Sequence, residues 1–195
     1  MMRGIWTVTR RELRSYFDQP TAYVLIVAFL ALSLFLAFRT MYGSGIATMR
    51  PLFDLLPLLF AVFVPAATMR AVAEERRGKT LEWVLAQPIS ETELVLGKFF
   101  GNWAFVLIAL AGTVPTSVGV LLASEADTGI VIAQYLGAGL LVGQFAALGI
   151  WASSITRDQI TAFIVAAALS FGLFLIGLPV VQIGLPPMIS GALAR

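Results

Sequence analysis

Residues 70–98 read RAVAEERRGKTLEWVLAQPISETELVLGK, and the rest of the chain is organised around them. Of the 13 Lys and Arg and 11 Asp and Glu in the 195-residue sequence, five of each kind fall in this stretch, between two long apolar runs. It is therefore the one substantial water-facing piece. Arg70 with Glu74, and Glu75 with Lys79, stand at i,i+4, where opposite charges support a helical turn. From Thr80 to Gln87, Leu81, Val84 and Leu85 share one helical face and Glu82 lies nearer the other, so the segment is amphipathic until Pro88 stops it. Ser90 and Glu93 have the spacing of a capping box, and Ile89 and Leu94 that of its hydrophobic staple, so a helix restarts at Ser90 and runs into the next apolar stretch. On pattern alone, a simple interfacial hairpin fits this segment as well as a docking element does.

Composition sets the class. The sequence is 59% hydrophobic with a mean hydropathy of +0.90, against an apolar share of roughly 45–50% in soluble domains. Bilayer-spanning helices need about 20 mostly apolar residues, and five such runs fit between the charge clusters. The expected fold is an all-α polytopic membrane bundle forming one domain over 1–195. It comprises an interfacial helix at 3–17 and spans at about 21–38, 52–70, 99–123, 130–154 and 160–181. Cysteine and histidine are absent, which removes disulfides, thiolate or imidazole metal sites and Ser-His or Cys-His nucleophile pairs.

Along the chain, Arg3, Arg10, Arg11 and Arg14 are interleaved with apolar residues. Trp6, Leu13 and Phe17 gather on one side, the pattern of a helix lying in the headgroup layer. The following apolar run is long and lacks a clear small-residue cleavage site, so it reads as an uncleaved anchor. Tyr42-Gly43-Ser44-Gly45 reads as a flexible loop. Pro57 and Pro65 interrupt the second span, which neighbouring groups can accommodate. Asp54 is a membrane carboxylate by position, yet three residues after Pro51 it reads as a first-turn residue favoured by the helix dipole. Pro115 predicts a kink in the third span. Gly139-x-x-x-Gly143 in the fourth permits close helix approach, within the bundle or between subunits. Gly78-Lys79-Thr80 mimics the end of a phosphate loop, but Ala73 stands where the first glycine is needed and no strand is expected before it.

Several of these strings resemble one family. Pro65-Ala66-Ala67-Thr68-Met69-Arg70, then Glu74, Glu75, Thr80-Leu81-Glu82, Leu85, Pro88-Ile89-Ser90 and Leu96-Gly97-Lys98, closely resemble the second span, cytoplasmic loop and third-span entry of ABC-2 type transporter permeases. Within that family the resemblance is nearest to the branch associated with gliding motility. Arg11-Glu12-Leu13-Arg14-Ser15-Tyr16-Phe17 with Pro20 and Tyr23 resembles the family's amino-terminal entry. Ser153 to Gln159 resembles its Ser-x-Thr-Arg-Asn-Gln turn, with Asp158 in the asparagine place. The resemblance covers nearly the whole chain, most strongly 57–99 and 149–163. One departure is that Lys79 directly precedes Thr-Leu-Glu, where the family usually has glycine, and Gly78 sits one residue earlier.

The resemblance implies the membrane subunit of an ATP-driven exporter in a bacterial inner membrane. Its loop 71–98 would dock on a separate ATPase subunit that holds ATP and Mg, and a second permease subunit, identical or not, would complete the pathway. The coupling residues it implies are Glu75, Gly78, Lys79, Thr80, Leu81, Glu82, Leu85 and Pro88. Arg70, Glu74, Ser90, Glu93 and Lys98 would support the loop and the span entry, and Thr156, Arg157 and Asp158 would form a second cytoplasmic turn. It also implies a sixth span after a re-entrant outer segment; the sequence ends at Arg195 where that segment would begin, which reads as truncation. This chain itself would be no enzyme and carry no cofactor.

Lys and Arg counts agree with that topology. Four precede the first span, two lie at 39–51, five at 70–98, none at 123–129, and Arg157 follows the fourth span. The positive-inside rule thus puts the amino terminus, loop 70–98 and Arg157 in the cytoplasm, and the basic residues read as topology signals, not as a nucleic-acid surface. A small secondary carrier or channel is the competing class. It would be expected to show polar groups in mid-span, where only Asp54, Gln134 and Gln144 come near. An intramembrane enzyme would need paired aspartates or a Ser-His dyad. A non-transporting, force-transmitting permease homologue would share every feature of the exporter.

Overall fold

The structure is a computed structural model that describes residues 2–45, 48–78, 90–124 and 127–178. Helices account for 88% of the described residues, and none of these lies in a strand. The helices are α1 (Met2–Phe17), α2 (Pro20–Ser44), α3 (Arg50–Thr68), α4 (Ala73–Arg77), α5 (Glu91–Ala111), α6 (Val114–Ala123), α7 (Thr128–Ile155) and α8 (Gln159–Ile176). Five segments are long and apolar enough to cross a membrane: Pro20–Ser44, Arg50–Arg77, Glu91–Ala123, Thr128–Ile155 and Gln159–Ile176. Loop residues 79–89, which include Lys79, Thr80, Leu81, Glu82, Leu85 and Pro88, lie outside the described residues, as do Ile89 of the expected staple and everything after 178.

Helix α3 is the hub. Half of its membrane window is buried, the largest share of the five, against 17% for α8 at the periphery, and it packs on α2, α7 and α8. Leu52, Leu56, Phe60 and Val64 recur every four residues and are fully enclosed, which makes one continuous ridge. Phe29 of α2 stacks on Phe60 with ring centroids 5.6 Å apart and meets Phe63 edge-on. Lipid tails are as apolar as these side chains, so such packing, and not the hydrophobic effect, holds spans together. Both prolines are carried inside α3 without ending it.

Two expectations are corrected. Tyr42 to Ser44 are the last turn of α2 and not a loop: the helix passes Arg39, whose side chain is exposed, and ends only at Gly45, where φ is +67°. That left-handed conformation suits glycine and closes the helix through a Gly45 N–H bond to the Met41 carbonyl at 2.9 Å. The third span is interrupted as Pro115 predicts, in the turn before it: the helix breaks at Gly112–Thr113, and Pro115 itself occupies the first turn of α6, where a missing N–H leaves no helical bond unmade. Asp158 stands at the N-cap of α8, but its side chain makes no capping bond there. Asp127 does cap α7, accepting from Gly129 N–H at 2.7 Å.

The capping box at Ser90 forms as expected. Glu93 N–H donates to Ser90 Oγ at 3.2 Å, and Ser90 N–H donates to the Glu93 carboxylate at 3.1 Å. Asp54 is exposed and faces Arg50 one turn earlier, at 3.8 Å.

Candidate functional site

At one end of the bundle α1, the α3–α4 turn and the start of α5 converge. Two glycines make this possible. Gly97 and Gly101, one turn apart on α5, open a groove into which α1 sinks: a Cβ on Gly97 would lie 2.5 Å from Val8 Cβ, and one on Gly101 would lie 2.7 Å from Glu12 Cβ. Thr9 adds a hydroxyl bond to the Gly97 carbonyl at 3.2 Å. The face of α1 turned to α5 therefore carries Val8, Thr9, Glu12 and Tyr16. That is about a quarter turn from the Trp6, Leu13, Phe17 side, and Trp6 is left 68% exposed.

This contact encloses Lys98, which is 2% exposed. Its ammonium donates to the Ala71 carbonyl and to Glu75 Oε1, the latter at 2.8 Å, and lies 3.6 Å from Glu12 Oε2. Arg11 approaches Glu75 Oε1 at 3.6 Å from the more open side. Two carboxylates and two cations thus balance in a largely enclosed node that ties the amino-terminal helix, the exit from α3 and the entry to α5. Burial, the largest influence, raises the Glu12 carboxyl above its ordinary value; Lys98 and Arg11 oppose that and the Glu75 charge adds to it.

One turn deeper, the Tyr16 hydroxyl is shared between the Ala67 carbonyl, at 2.7 Å, and the Asn102 side-chain oxygen. The Asn102 amide group in turn donates to the Lys98 carbonyl at 2.8 Å. The Tyr16 ring stacks on Phe105 at 4.4 Å. Burial raises the Tyr16 hydroxyl above its ordinary range, so it stays protonated and acts as a donor.

The α3–α4 turn is pinned from the other side by α7. Ser153 Oγ accepts from Val72 and Ala73 N–H, each at 3.0 Å, and donates to the Met69 carbonyl at 3.1 Å. A Cβ on Gly149 would overlap Thr68 Oγ1, so α7 and α3 cross in near contact there. Arg70 reaches Gln19 and Thr21 at the start of α2, in place of the expected Glu74, which is exposed. Gly78 caps α4 in right-handed geometry. Thr156 caps the end of α7, its hydroxyl donating to Ala152 O at 2.9 Å, and Arg157 and Asp158 are exposed.

Of the expected site residues, the structure thus joins Glu75 directly to Lys98. Ser90 and Glu93 form a separate cap. Glu12, Asn102 and Tyr16 are additions. The signal for them lies in pairing a polar stripe on α1 (Thr9, Glu12, Tyr16) with one on α5 (Lys98, Asn102) across two glycines. A second polar group inside the bundle is likewise missed by sequence reasoning. Thr113 donates to the Leu110 carbonyl at 2.7 Å and Ser117 to the Thr113 carbonyl at 3.4 Å, and both hydroxyl oxygens lie within hydrogen-bond distance of the Tyr135 hydroxyl, at 2.8 and 2.6 Å. These hydroxyls satisfy one another at the α5–α6 break. Gly139 faces Leu107 and Gly143 faces Trp103, whose indole N–H donates to the Gly139 carbonyl at 2.9 Å, so this motif serves packing within the bundle. Among the described residues no group of three or more acidic side chains is placed to hold a metal ion.

A bundle of five helices long and apolar enough to cross a membrane, with enclosed ion pairs at one end around the roots of a charged loop, is a polytopic membrane protein. The family model for ABC-2 family transporter proteins matches residues 15–193, and the chain belongs to that family. The match is to the family as a whole and does not support the gliding-motility branch. Compared with curated proteins, the sequence shows no significant match.

Proposed function

We propose that the chain is the membrane subunit of an ATP-driven exporter, in which a separate nucleotide-binding subunit, holding ATP and Mg, drives movement through loop 71–98. The observation that carries this reading is the Lys98 node. Glu75 and Lys98 bracket the loop, and their 2.8 Å contact closes its two ends onto α1. A push on the residues between them then reaches three elements together: α1, the end of the second span and the start of the third. Family membership supplies the partner, since permeases of this kind normally work with an ATPase subunit. Thr80, Leu81 and Glu82 are the proposed contact, with Leu85 and Pro88 shaping it, and Thr156 to Asp158 form a second turn at the same end. A second permease copy, identical or not, completes the pathway.

In this reading the charged end, with the amino terminus, faces the cytoplasm of a bacterial inner membrane. Maleimide labelling tests the orientation, because the sequence has no cysteine. A cysteine placed at Glu82 should be protected from an impermeant reagent in intact cells and one at Asp127 modified; the reverse pattern would overturn it.

The coupling is tested with Glu82→Ala. The purified chain alone should show no ATPase activity above background, and activity should appear with a soluble nucleotide-binding partner. The substitution should leave expression unchanged and lower stimulation of the partner severalfold. Full stimulation by the variant, or ATP turnover by the chain alone, would defeat the proposal.

A further inference from the structure

Arg76 and Arg77 of α4, with Arg157 and Asp158 from the turn between α7 and α8, line an open cavity of about 570 Å³ at the charged end of the bundle. All four side chains are exposed, and among the described residues none of the three guanidiniums is paired with a carboxylate. The cavity thus holds three positive charges and one negative. The nearby Glu74, exposed on the same short helix, is not among its lining residues. Around Lys98, by contrast, the charges are balanced and tied down.

The position of the cavity narrows the ligand. Arg77 ends one membrane-crossing segment, Arg157 stands just past the end of another at Ile155, and Asp158 precedes a third that begins at Gln159. The three arginines therefore lie at headgroup depth. Directly beyond them, α8 presents Ile160, Ile164 and Phe171 along one outward strip, 74%, 58% and 42% exposed, and α8 is the least enclosed of the five spans. Three guanidiniums at the head of an exposed apolar strip match a molecule with an anionic head and a hydrocarbon tail. An acidic protein surface would match the arginines but has no need of a seat at headgroup depth beside a lipid-exposed span.

We infer that Arg76, Arg77 and Arg157 form a binding site for the phosphate of an anionic glycerophospholipid, whose acyl chain lies along Ile160, Ile164 and Phe171. Guanidinium groups suit a phosphate diester because they offer paired donors as well as charge, and basic pockets between spans on the cytoplasmic side are ready seats for such heads. The inference requires that the chain sit in a bilayer and is independent of ATP coupling.

The test uses the full chain purified in a neutral detergent, with dioleoyl phosphatidylglycerol or dioleoyl phosphatidylcholine added at equal concentration and bound lipid counted by native mass spectrometry. Phosphatidylglycerol should bind in preference. Each arginine is expected to contribute about fivefold in affinity, so Arg76→Gln, Arg77→Gln and Arg157→Gln together should weaken phosphatidylglycerol on the order of a hundredfold and leave phosphatidylcholine unchanged. Asp158→Asn removes the one opposing charge from a side chain that makes no capping bond, and should strengthen phosphatidylglycerol binding severalfold even if the triple variant fails to fold. Unchanged phosphatidylglycerol affinity in a folded triple variant, or weaker binding in Asp158→Asn, would overturn the inference. Equal competition by glycerol 1-phosphate would overturn the lipid source in favour of a soluble phosphate. A triple variant that keeps its lipid preference but no longer associates with an ATPase subunit would reassign the cavity to that partner.

Discussion

Replacing Lys98 with methionine removes the ammonium at the centre of the node and keeps most of the side-chain volume. The substitution strands Glu12 and Glu75, each less than a fifth exposed, and leaves the Ala71 carbonyl without its donor. Arg11, half exposed and 3.6 Å from Glu75, compensates one carboxylate in part and the other hardly at all. Breaking a buried ion pair from one side costs about 3–5 kcal/mol, because the remaining charge stays desolvated. For a chain of this size each kcal/mol moves the melting midpoint by about 2–4 °C, so a drop of roughly 10 °C is expected. Detergent-solubilised protein heated in steps and passed over a size-exclusion column gives the midpoint directly. Adding Glu12→Gln and Glu75→Gln to the Lys98→Met background should recover most of the loss, since neutral amides tolerate the enclosed site. A loss below about 1 kcal/mol, the range of exposed surface pairs, or a triple variant no better than Lys98→Met alone, would refute the argument that the node is a closed charge balance.

The groove makes a comparative prediction. Gly97→Ala and Gly101→Ala drive a methyl into Val8 and Glu12 and should each destabilise by about 1–3 kcal/mol, whereas Gly143→Ala meets Trp103 only at 3.4 Å and should change the melting midpoint little; equal effects at the three positions would contradict it. The pH dependence follows from Glu12. Its carboxyl is raised in the folded state, so the stabilisation from its bound proton is complete below the ordinary value of 4.5 and is lost as pH rises through the folded value. Glu12→Gln should flatten that decline in melts taken from about pH 4.5 to 8, and an equally steep decline in the wild type and in the Glu12→Gln variant would remove Glu12 as its cause.

The spans are legible because hydropathy is a property of runs, and a run of apolar residues long enough to cross a bilayer has few alternatives to a helix. The Ser90 cap is legible because both of its partners lie within three residues. Which side of α1 makes the closest contact is not. Its apolar side is the conspicuous one, and Leu13 and Phe17 do pack against the core while Trp6 stays exposed, but the deepest contact is made by Val8 and Glu12, because the two glycines of α5 set the approach. The same limit explains why Gly139-x-x-x-Gly143 stands out in the sequence and Gly97-x-x-x-Gly101 does not: the motif reports room for a neighbour, and only the fold says which neighbour takes it. Arg39 misleads in the opposite way, since a charge marks where a helix leaves hydrocarbon and not where its hydrogen bonding stops. The hydroxyls of Thr113, Ser117 and Tyr135 escape a search for ionisable groups, although the break at Gly112 depends on groups that can satisfy one another there.

The depth of the α1–α5 contact bears on how motion in this protein can be watched. With Val8 seated over Gly97 and Glu12 over Gly101, the two helices have no room to slide past each other by a fraction of a turn without collision. A spin label or fluorophore placed on the exposed side of α1, at Arg10 for instance, is therefore a rigid reporter of the third span, read without a single substitution in the span itself.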